Sequence, residues 1–298
     1  MHTSKWLYAV LVGLVSLTAA TQASAARTPW AIRRAENGIF VGIGYGTWHY
    51  QETMNALPID SESGGLTVYS VGIAQIGRHD GGLYESLRLT GAFGTTRYQG
   101  NTALGLPAQA TTTNRITAAD ARLGVVIDGL WRQDCDTVLI PYLGAGFHRW
   151  VRGANPGTGN PESETYTEGH LGIGLGVDYA IDRRLVLTLH ALTGYTVGAQ
   201  LTATEPIAFD AATGTLESAR LNESLGDRPY NVLGLTLHYR VDRHIEIAFA
   251  VRRATWSAAG SAPIAVAGAP NQTTLGLTRI PGSRSTETTM LLQVATPF

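Results

Sequence analysis

Residues 168–179 read EGHLGIGLGVDY, and this stretch decides the fold. Every second residue from Leu171 to Tyr179 is large and apolar, whereas the alternate positions from Glu168 to Asp178 carry glycine, histidine or a carboxylate. Successive side chains of a β-strand point to opposite faces of the sheet. The period of two therefore predicts a strand with one apolar face and one polar or small face.

The same alternation recurs along the chain after Asn37, with polar connections between the alternating stretches. We predict ten strands, at 38–50, 66–77, 83–97, 115–131, 138–151, 166–181, 185–197, 229–241, 245–256 and 286–298. The links after the even-numbered strands are short, and those after the odd-numbered strands are long. The long links are 51–65, 98–114, 152–165, 198–228 and 257–285. An even strand number with short periplasmic turns and long outer loops is typical of bacterial outer-membrane barrels.

The predicted fold is all-β, a closed antiparallel transmembrane β-barrel of about ten strands with both termini periplasmic. Closure is expected because an open sheet edge in hydrocarbon would leave unpaired N–H and C=O groups, each costing several kcal/mol. Beyond the N-terminus the sequence has no apolar run long enough for a membrane-spanning helix. The apolar residues are therefore expected to face lipid from strands.

The first 25 residues are predicted to be an export signal. Lys5 supplies positive charge, residues 6–20 are mostly apolar, and the small residues Ala23 and Ala25 precede the expected cleavage site. The net charge of −1, with only 15% charged residues, does not favour nucleic-acid binding.

The mature chain is predicted to have a short periplasmic segment followed by the barrel. The predicted parts are 1–25 for the signal peptide, 26–37 for the periplasmic segment and 38–298 for the barrel. The single cysteine, Cys135, cannot form an internal disulfide. We interpret it as an incidental turn residue, with an intermolecular bridge or a reactive thiol as the alternative.

Aromatic side chains occur at two heights on the predicted apolar face. One ring consists of Tyr45, Phe93, Phe147 and Tyr195, and the other of Trp131, Tyr179, Tyr239 and Phe298. Two such girdles are typical of the water–lipid boundaries of a membrane barrel. A soluble β-sandwich also alternates, but its core gives no reason to place aromatics at these positions.

Several segments resemble small bacterial outer-membrane β-barrel proteins of the porin-like and OmpA-like kind. The glycine-rich residues 38–46 and the segment 141–146, PYLGAG, carry this resemblance. The last strand, which ends at Phe298, is similar to the signal that such barrels present to their assembly machinery, although Thr296 departs from the usual pattern. The resemblance implies an outer-membrane location, with membrane lipid, lipopolysaccharide and the barrel-assembly machinery as partners.

The predicted lumen carries charges of both signs. They are Arg88, Asp120, Arg122, Asp128, Glu168, Asp178, Arg240, Glu246 and Arg252, beside His148, His170, His190 and His238. Enclosed charges are costly unless they are paired, so we predict a network of cross-strand ion pairs, with Arg240 opposite Glu246. Metal binding is not favoured, because the four histidines lie on four different strands.

The predicted outer rim combines aromatic and cationic side chains. Its members are Trp48, Tyr50, Trp150, Arg152 and Trp256. Such a set suits contact with sugar or phosphate groups, including lipopolysaccharide, but we favour plain interfacial anchoring.

The predicted function is that of a non-enzymatic integral outer-membrane barrel without a cofactor, whose lumen is largely filled by its own polar side chains and whose outer loops mediate surface interaction. A small barrel is normally filled in this way. The first alternative is a narrow porin-like diffusion pore, because inward-facing glycines leave space. The second is a surface hydrolase, either an omptin-type protease or a lipid hydrolase. No catalytic residue set is predicted.

Overall fold

The computed structural model describes residues 29–54, 57–77, 82–101, 107–128, 136–153, 163–210, 215–260, 264–266, 276–278 and 281–298. The elements are α1 (Trp30–Ala35), β1 (Gly38–Met54), β2 (Leu57–Ile76), β3 (Leu83–Asn101), β4 (Pro107–Val125), β5 (Ile127–Asp128), β6 (Thr137–Gly153), β7 (Ser163–Ala180), β8 (Leu185–Asp210), β9 (Thr215–Ser224), β10 (Pro229–Arg240), β11 (Glu246–Ala258), β12 (Ile264–Val266), β13 (Gly276–Thr278) and β14 (Gly282–Pro297). The predicted signal peptide and Cys135 lie outside the described residues.

Ten strands form one closed antiparallel sheet in the order β1, β2, β3, β4, β6, β7, β8, β10, β11 and β14, and β14 pairs back with β1. The short β5 also pairs with β6, and β9 is an extra strand beside β8. The paired residues can be followed around the barrel from Tyr45 on β1. In one direction they reach Val151 on β6, and in the other direction they reach Leu139 on the same strand, so the register is offset by twelve residues around the closed barrel. Such a stagger accompanies tilted barrel strands. The predicted all-β closed antiparallel barrel of ten strands is confirmed.

The two ends of the barrel differ. We call the end with Gly38 and Pro297 the turn end, and the opposite end the loop end. Two turn-end connections share one design, in which the Oδ1 atom of an aspartate accepts two backbone N–H groups. Asp242 accepts from His244 at 2.6 Å and from Ile245 at 2.9 Å, and Asp182 is bonded in the same way. These hydrogen bonds favour the ionised carboxylate and so lower the pKa of Asp242.

The strands extend further toward the loop end than predicted. The predicted loop 51–65 is mostly strand, with only residues 55–56 between β1 and β2. Much of 98–114 belongs to β3 and β4, and 198–228 contains the hairpin of β8 and β9. The alternation of apolar residues weakens there because neither face needs to meet hydrocarbon, although the backbone ladder continues.

Large apolar side chains cover the outside of the barrel near the turn end. On β1 they run from Ile39 to Tyr45, each more than half exposed, and the next outward positions are Thr47, His49 and Gln51. The other strands carry Tyr69, Val71, Ile73, Leu87, Leu89, Phe93, Leu123, Phe147, Leu171, Ile173, Leu175, Tyr179, Leu189, Tyr195, Leu233, Leu235, Leu237, Tyr239, Ile247, Phe249, Met290, Leu292 and Val294. A continuous apolar belt of this kind is unfavourable in water and suits hydrocarbon.

Seven of the eight predicted girdle aromatics lie on this outer surface with their side chains exposed. They are Tyr45, Phe93, Phe147, Tyr195, Tyr179, Tyr239 and Phe298. Trp131 lies outside the described residues. No helix in the described part of the chain is long and apolar enough to cross a membrane.

A glycine permits the close approach of β1 and β14 at the seam that closes the barrel. A Cβ atom at Gly44 would overlap the backbone carbonyl oxygen of Met290, which cannot move far without breaking the ladder. Gly44→Ala is therefore expected to lower the free energy of unfolding by about 1 to 3 kcal/mol. Urea titration of the barrel in lipid vesicles measures this change.

Gly91→Ala is the matched control, because a Cβ atom at Gly91 would meet no atom within 4 Å. Its unfolding midpoint is expected to stay at the wild-type value. Equal midpoints for the Gly44 and Gly91 variants would contradict the argument from close approach.

Candidate functional site in the barrel interior

Three tryptophans meet inside the loop-end half of the barrel. The ring of Trp48 lies 4.9 Å from that of Trp150 and 5.3 Å from that of Trp256, measured between ring centroids. They come from β1, β6 and β11, and β6 neighbours neither of the other two strands, so the contact crosses the lumen. The buried residues packed around them are Tyr50, Leu66, Val68, Ala92, Ile116, Tyr142, Leu192, Tyr230, Val232, Ala250, Ala254 and Leu291. We call this set the aromatic cluster.

A charged network adjoins the aromatic cluster. The Nε atom of Arg152 donates to Glu62 at 2.6 Å, and its Nη1 atom donates to Glu164 at 2.9 Å. Asn114 also donates to Glu62, and Trp150 donates its indole N–H to Asn114 at 2.6 Å. The other donors to Glu62 are the hydroxyl groups of Thr96 and Thr112. Fully buried Glu62 thus has the paired environment that a buried carboxylate requires.

The five predicted rim residues therefore lie together, but inside the barrel. Trp48, Tyr50, Trp150 and Trp256 are at most 7% exposed, and Arg152 is tied to two carboxylates. The structure corrects the expectation of an exposed rim, because β1, β6 and β11 continue past these residues toward the loop end.

Asp120 is the centre of a second polar group nearer the turn end. One of its oxygens lies 3.2 Å from Nε2 of His170 and 3.7 Å from Nη2 of Arg252. Arg252 also donates to the hydroxyl group of Tyr230 at 3.0 Å. These contacts join β4, β7, β10 and β11 across the lumen.

The predicted pair of Arg240 and Glu246 is opposite in register but is not an ion pair in the structure. Residue 240 faces residue 246 across the ladder of β10 and β11. The Glu246 carboxylate lies instead 2.8 Å from Nδ1 of His238, and the Arg240 guanidinium stacks 4.3 Å above the ring of Trp30. The reason is α1, which brings Trp30 to the turn end of the barrel.

The other predicted lumenal carboxylates have separate environments. Glu168 is buried with one oxygen 3.5 Å from Nδ1 of His148. Asp178 is fully buried nearer the turn end. The side chain of Asp128 lies outside the described residues.

Arg88 and Arg122 line a polar cavity of about 80 Å³. Each guanidinium lies 5.2 Å from an aromatic ring centroid, that of Phe40 for Arg88 and that of Tyr142 for Arg122. Other lining residues include Asp120, His190, His238, Glu246 and Arg252. The cavity therefore adjoins the Asp120 group.

A short helix occupies the turn end of the lumen. Residues 26–37 were expected to form only a short segment before the barrel, but α1 places Ile32 in a buried cluster with no exposed surface. The barrel residues of this cluster are Ile76, Tyr84, Val126, Val138, Ile140, Ala180 and Val186. Asn37 fixes the exit of the helix, because its side chain exchanges hydrogen bonds with the backbone of Ile76.

Sequence reasoning missed much of the charged network. Glu62, Asn114 and Glu164 fall in predicted loops, so their parity was never assigned to the lumen. One signal existed in the sequence just before Asn114. The run Thr111 to Thr113 carries β-branched residues that favour strands.

No group of three or more histidine, cysteine, aspartate or glutamate side chains within the described ranges could hold a metal ion.

A closed ten-strand barrel with an apolar exterior and a polar, aromatic interior has the architecture of small bacterial outer-membrane β-barrel proteins. In particular, the fold is similar to that of the outer membrane protease OmpT from Escherichia coli, with a TM-score of 0.53 and 10% sequence identity over 88% of this chain and 97% of that chain. At this identity the likeness concerns the fold alone.

Two further solved structures align less well. They are the translocator domain of the autotransporter NalP from Neisseria meningitidis (TM-score 0.38, 11% identity, 99% of this chain and 98% of that chain) and the outer membrane protein OprG from Pseudomonas aeruginosa (TM-score 0.34, 9% identity, 88% and 97%). No family model and no curated protein matches the sequence.

Proposed function

We propose that this chain is a non-enzymatic integral protein of the bacterial outer membrane whose lumen is closed to diffusion by its own side chains. The observation that carries the proposal is the contact of Trp48, Trp150 and Trp256 across the lumen. Buried aromatic rings at contact distance leave little room for a hydrated solute. The network of Arg152 and Glu62 adjoins the cluster on its loop-end side and is hydrogen-bonded to it through Trp150.

The turn end supports the same proposal. Ile32 packs among barrel side chains, and Trp30 contacts both Arg34 and Arg240 through cation–π interactions. A solute leaving the cavity toward the turn end would meet this helix. The helix therefore narrows the turn end of the lumen that the aromatic cluster closes.

The outer-membrane location follows from the apolar belt and the barrel fold. In this orientation the turn end faces the periplasm and the loop end faces outward, as in barrels with short periplasmic turns. Residues 1–25 would direct export, and the last strand, ending at Phe298, would be read by the barrel-assembly machinery. Membrane lipid and lipopolysaccharide would contact the outer surface and the girdle aromatics.

The test is the current through planar bilayers containing the refolded mature chain, with a known wide porin as the positive control. We expect no discrete conductance steps from this protein. Reproducible steps would contradict the closed lumen and favour a narrow diffusion pore, for which the polar cavity of about 80 Å³ is the supporting observation.

A surface hydrolase is the second alternative, because OmpT, with a similar fold, is a protease. The Glu62 and Glu164 carboxylates toward the loop end both accept hydrogen bonds from Arg152, an arrangement that favours a structural role. The same preparation, incubated with peptides and with lipid A, is expected to leave both intact. Turnover of either would overturn the non-enzymatic proposal.

A further inference from the structure

Three arginines line the interior between the aromatic cluster and α1, and their positive charge is only partly balanced. Arg88, Arg122 and Arg252 border the same cavity. Two carboxylates, Asp120 and Glu287, lie beside Arg88 and Arg252 in the adjoining space. One positive charge therefore remains in excess among these five side chains.

The excess lies with Arg88 and Arg122. Arg252 is engaged by Asp120 and by Tyr230. Among the described residues, no carboxylate forms an ion pair with Arg88 or Arg122. Both arginines are partly buried. A cation that is partly removed from water is stabilised by a counter-charge or another polar partner.

The other charged groups of the cavity do not supply that partner. The Glu246 carboxylate is bonded to His238, and Glu36 accepts the hydroxyl group of Thr188 at 3.4 Å. Arg34 adds a further positive charge at the turn end of the cavity. Within the described cavity lining, Arg88 and Arg122 thus lack the direct counter-charge and the bonded tyrosine that Arg252 has, whatever the overall balance of charge.

Arg88 and Arg122 are neighbours on the wall of this cavity. Arg88 is paired in register with Asp120, so Arg122 is its diagonal neighbour on β4, at a typical Cα separation of about 7 to 8 Å. Each guanidinium lies near an aromatic ring, which favours the cation and holds the planar group. Such a group presents five N–H donors in its plane, a geometry that suits the oxygens of phosphates and carboxylates.

We propose that Arg88 and Arg122 bind a small oxyanion in this cavity. The volume of about 80 Å³ suits an ion of the size of inorganic phosphate. The cavity reaches the turn end, where Gly38 and Pro297 line it, so the ion enters beside α1. The proposal goes beyond the closed lumen and depends only on the barrel interior, because binding from the turn end requires no conduction.

The experiment is isothermal titration of inorganic phosphate into the full mature chain, refolded in zwitterionic detergent, at constant ionic strength and neutral pH. We expect saturable binding of one phosphate per barrel. Arg88→Gln and Arg122→Gln should each weaken it by about tenfold or more, since each removes charge-assisted hydrogen bonds. Arg183→Gln, at an exposed turn, is the matched control and should bind as the wild type does.

Folding of each variant is checked by heat-modifiable mobility in SDS gels. Arg88→Lys keeps the charge but loses the planar donors, and it should bind with intermediate affinity. The proposal is overturned if phosphate shows no saturation with the wild type, or if chloride gives the same titration curve. Unchanged binding in a folded variant that lacks both guanidinium groups would overturn it as well. Conductance is measured separately, so steps in a bilayer would overturn the closed lumen without touching this result.

Discussion

Replacing Arg152 by alanine is expected to lower the free energy of unfolding of the barrel by about 3 to 5 kcal/mol. The side chain pairs with both Glu62 and Glu164, and Glu62 has no exposed surface. Without Arg152, Glu62 would be a buried carboxylate with only neutral hydrogen-bond donors. Urea titration in lipid vesicles, followed by tryptophan fluorescence, measures the change.

Arg149→Ala is the matched control, because Arg149 lies on the same strand but is exposed on the outer face. Its removal should leave the unfolding midpoint nearly unchanged. Adding Glu62→Gln to the Arg152 variant removes the orphaned charge and should restore part of the lost stability. The account of the network fails if the Arg149 and Arg152 variants unfold at the same urea concentration.

The second large effect is expected in the conductance of a combined variant. Trp48→Ala with Trp150→Ala removes two rings from the aromatic cluster, and Ile32→Asp places a charge in the apolar cluster that holds α1. Because the aromatic cluster closes the lumen whereas α1 only narrows its turn end, the Ile32 change alone should produce no conductance steps. The combined variant should show discrete steps in planar bilayers.

The control for this series is Phe147→Ala, which removes an aromatic ring from the outer surface of β6. This variant should show no conductance steps in the bilayer. Each Trp→Ala change can cost about 3 to 5 kcal/mol, so folding of every variant must be shown by heat-modifiable mobility. Steps from the Ile32 variant alone would show that the aromatic cluster does not obstruct the lumen.

The barrel could be predicted from sequence because hydrocarbon imposes a strict local rule. In β7 each outward position from Leu171 to Tyr179 meets the same apolar surroundings, so hydropathy alternates without interruption. The pairing of β1 with β14 followed from closure rather than from local pattern. Neither the alternation nor the closure depends on specific side-chain contacts.

The loop-end parts of the strands and α1 could not be predicted in the same way. Around Glu62 and Asn114 both faces of the sheet are largely polar, so no alternation of hydropathy marks the strand. The helix has only six residues. The burial of Ile32 depends on the width of the barrel at the turn end and on the side chains that line it there. Likewise Glu246 contacts His238, and Arg240 stacks on Trp30 of a helix that the sequence did not predict.

The length of the strands sets how far the protein stands above the lipid. The nineteen residues of β4 span about 65 Å along the strand. A strand tilted by about 40° from the barrel axis then covers roughly 50 Å along that axis. The apolar band of such barrels is about 25 Å tall, so about 25 Å of paired strands rise beyond it. Paired strands therefore continue beyond the lipid on the loop-end side. A molecule confined to the lipid plane therefore cannot contact the outermost paired residues, such as Asn101 and Pro107 at the end of the β3–β4 ladder.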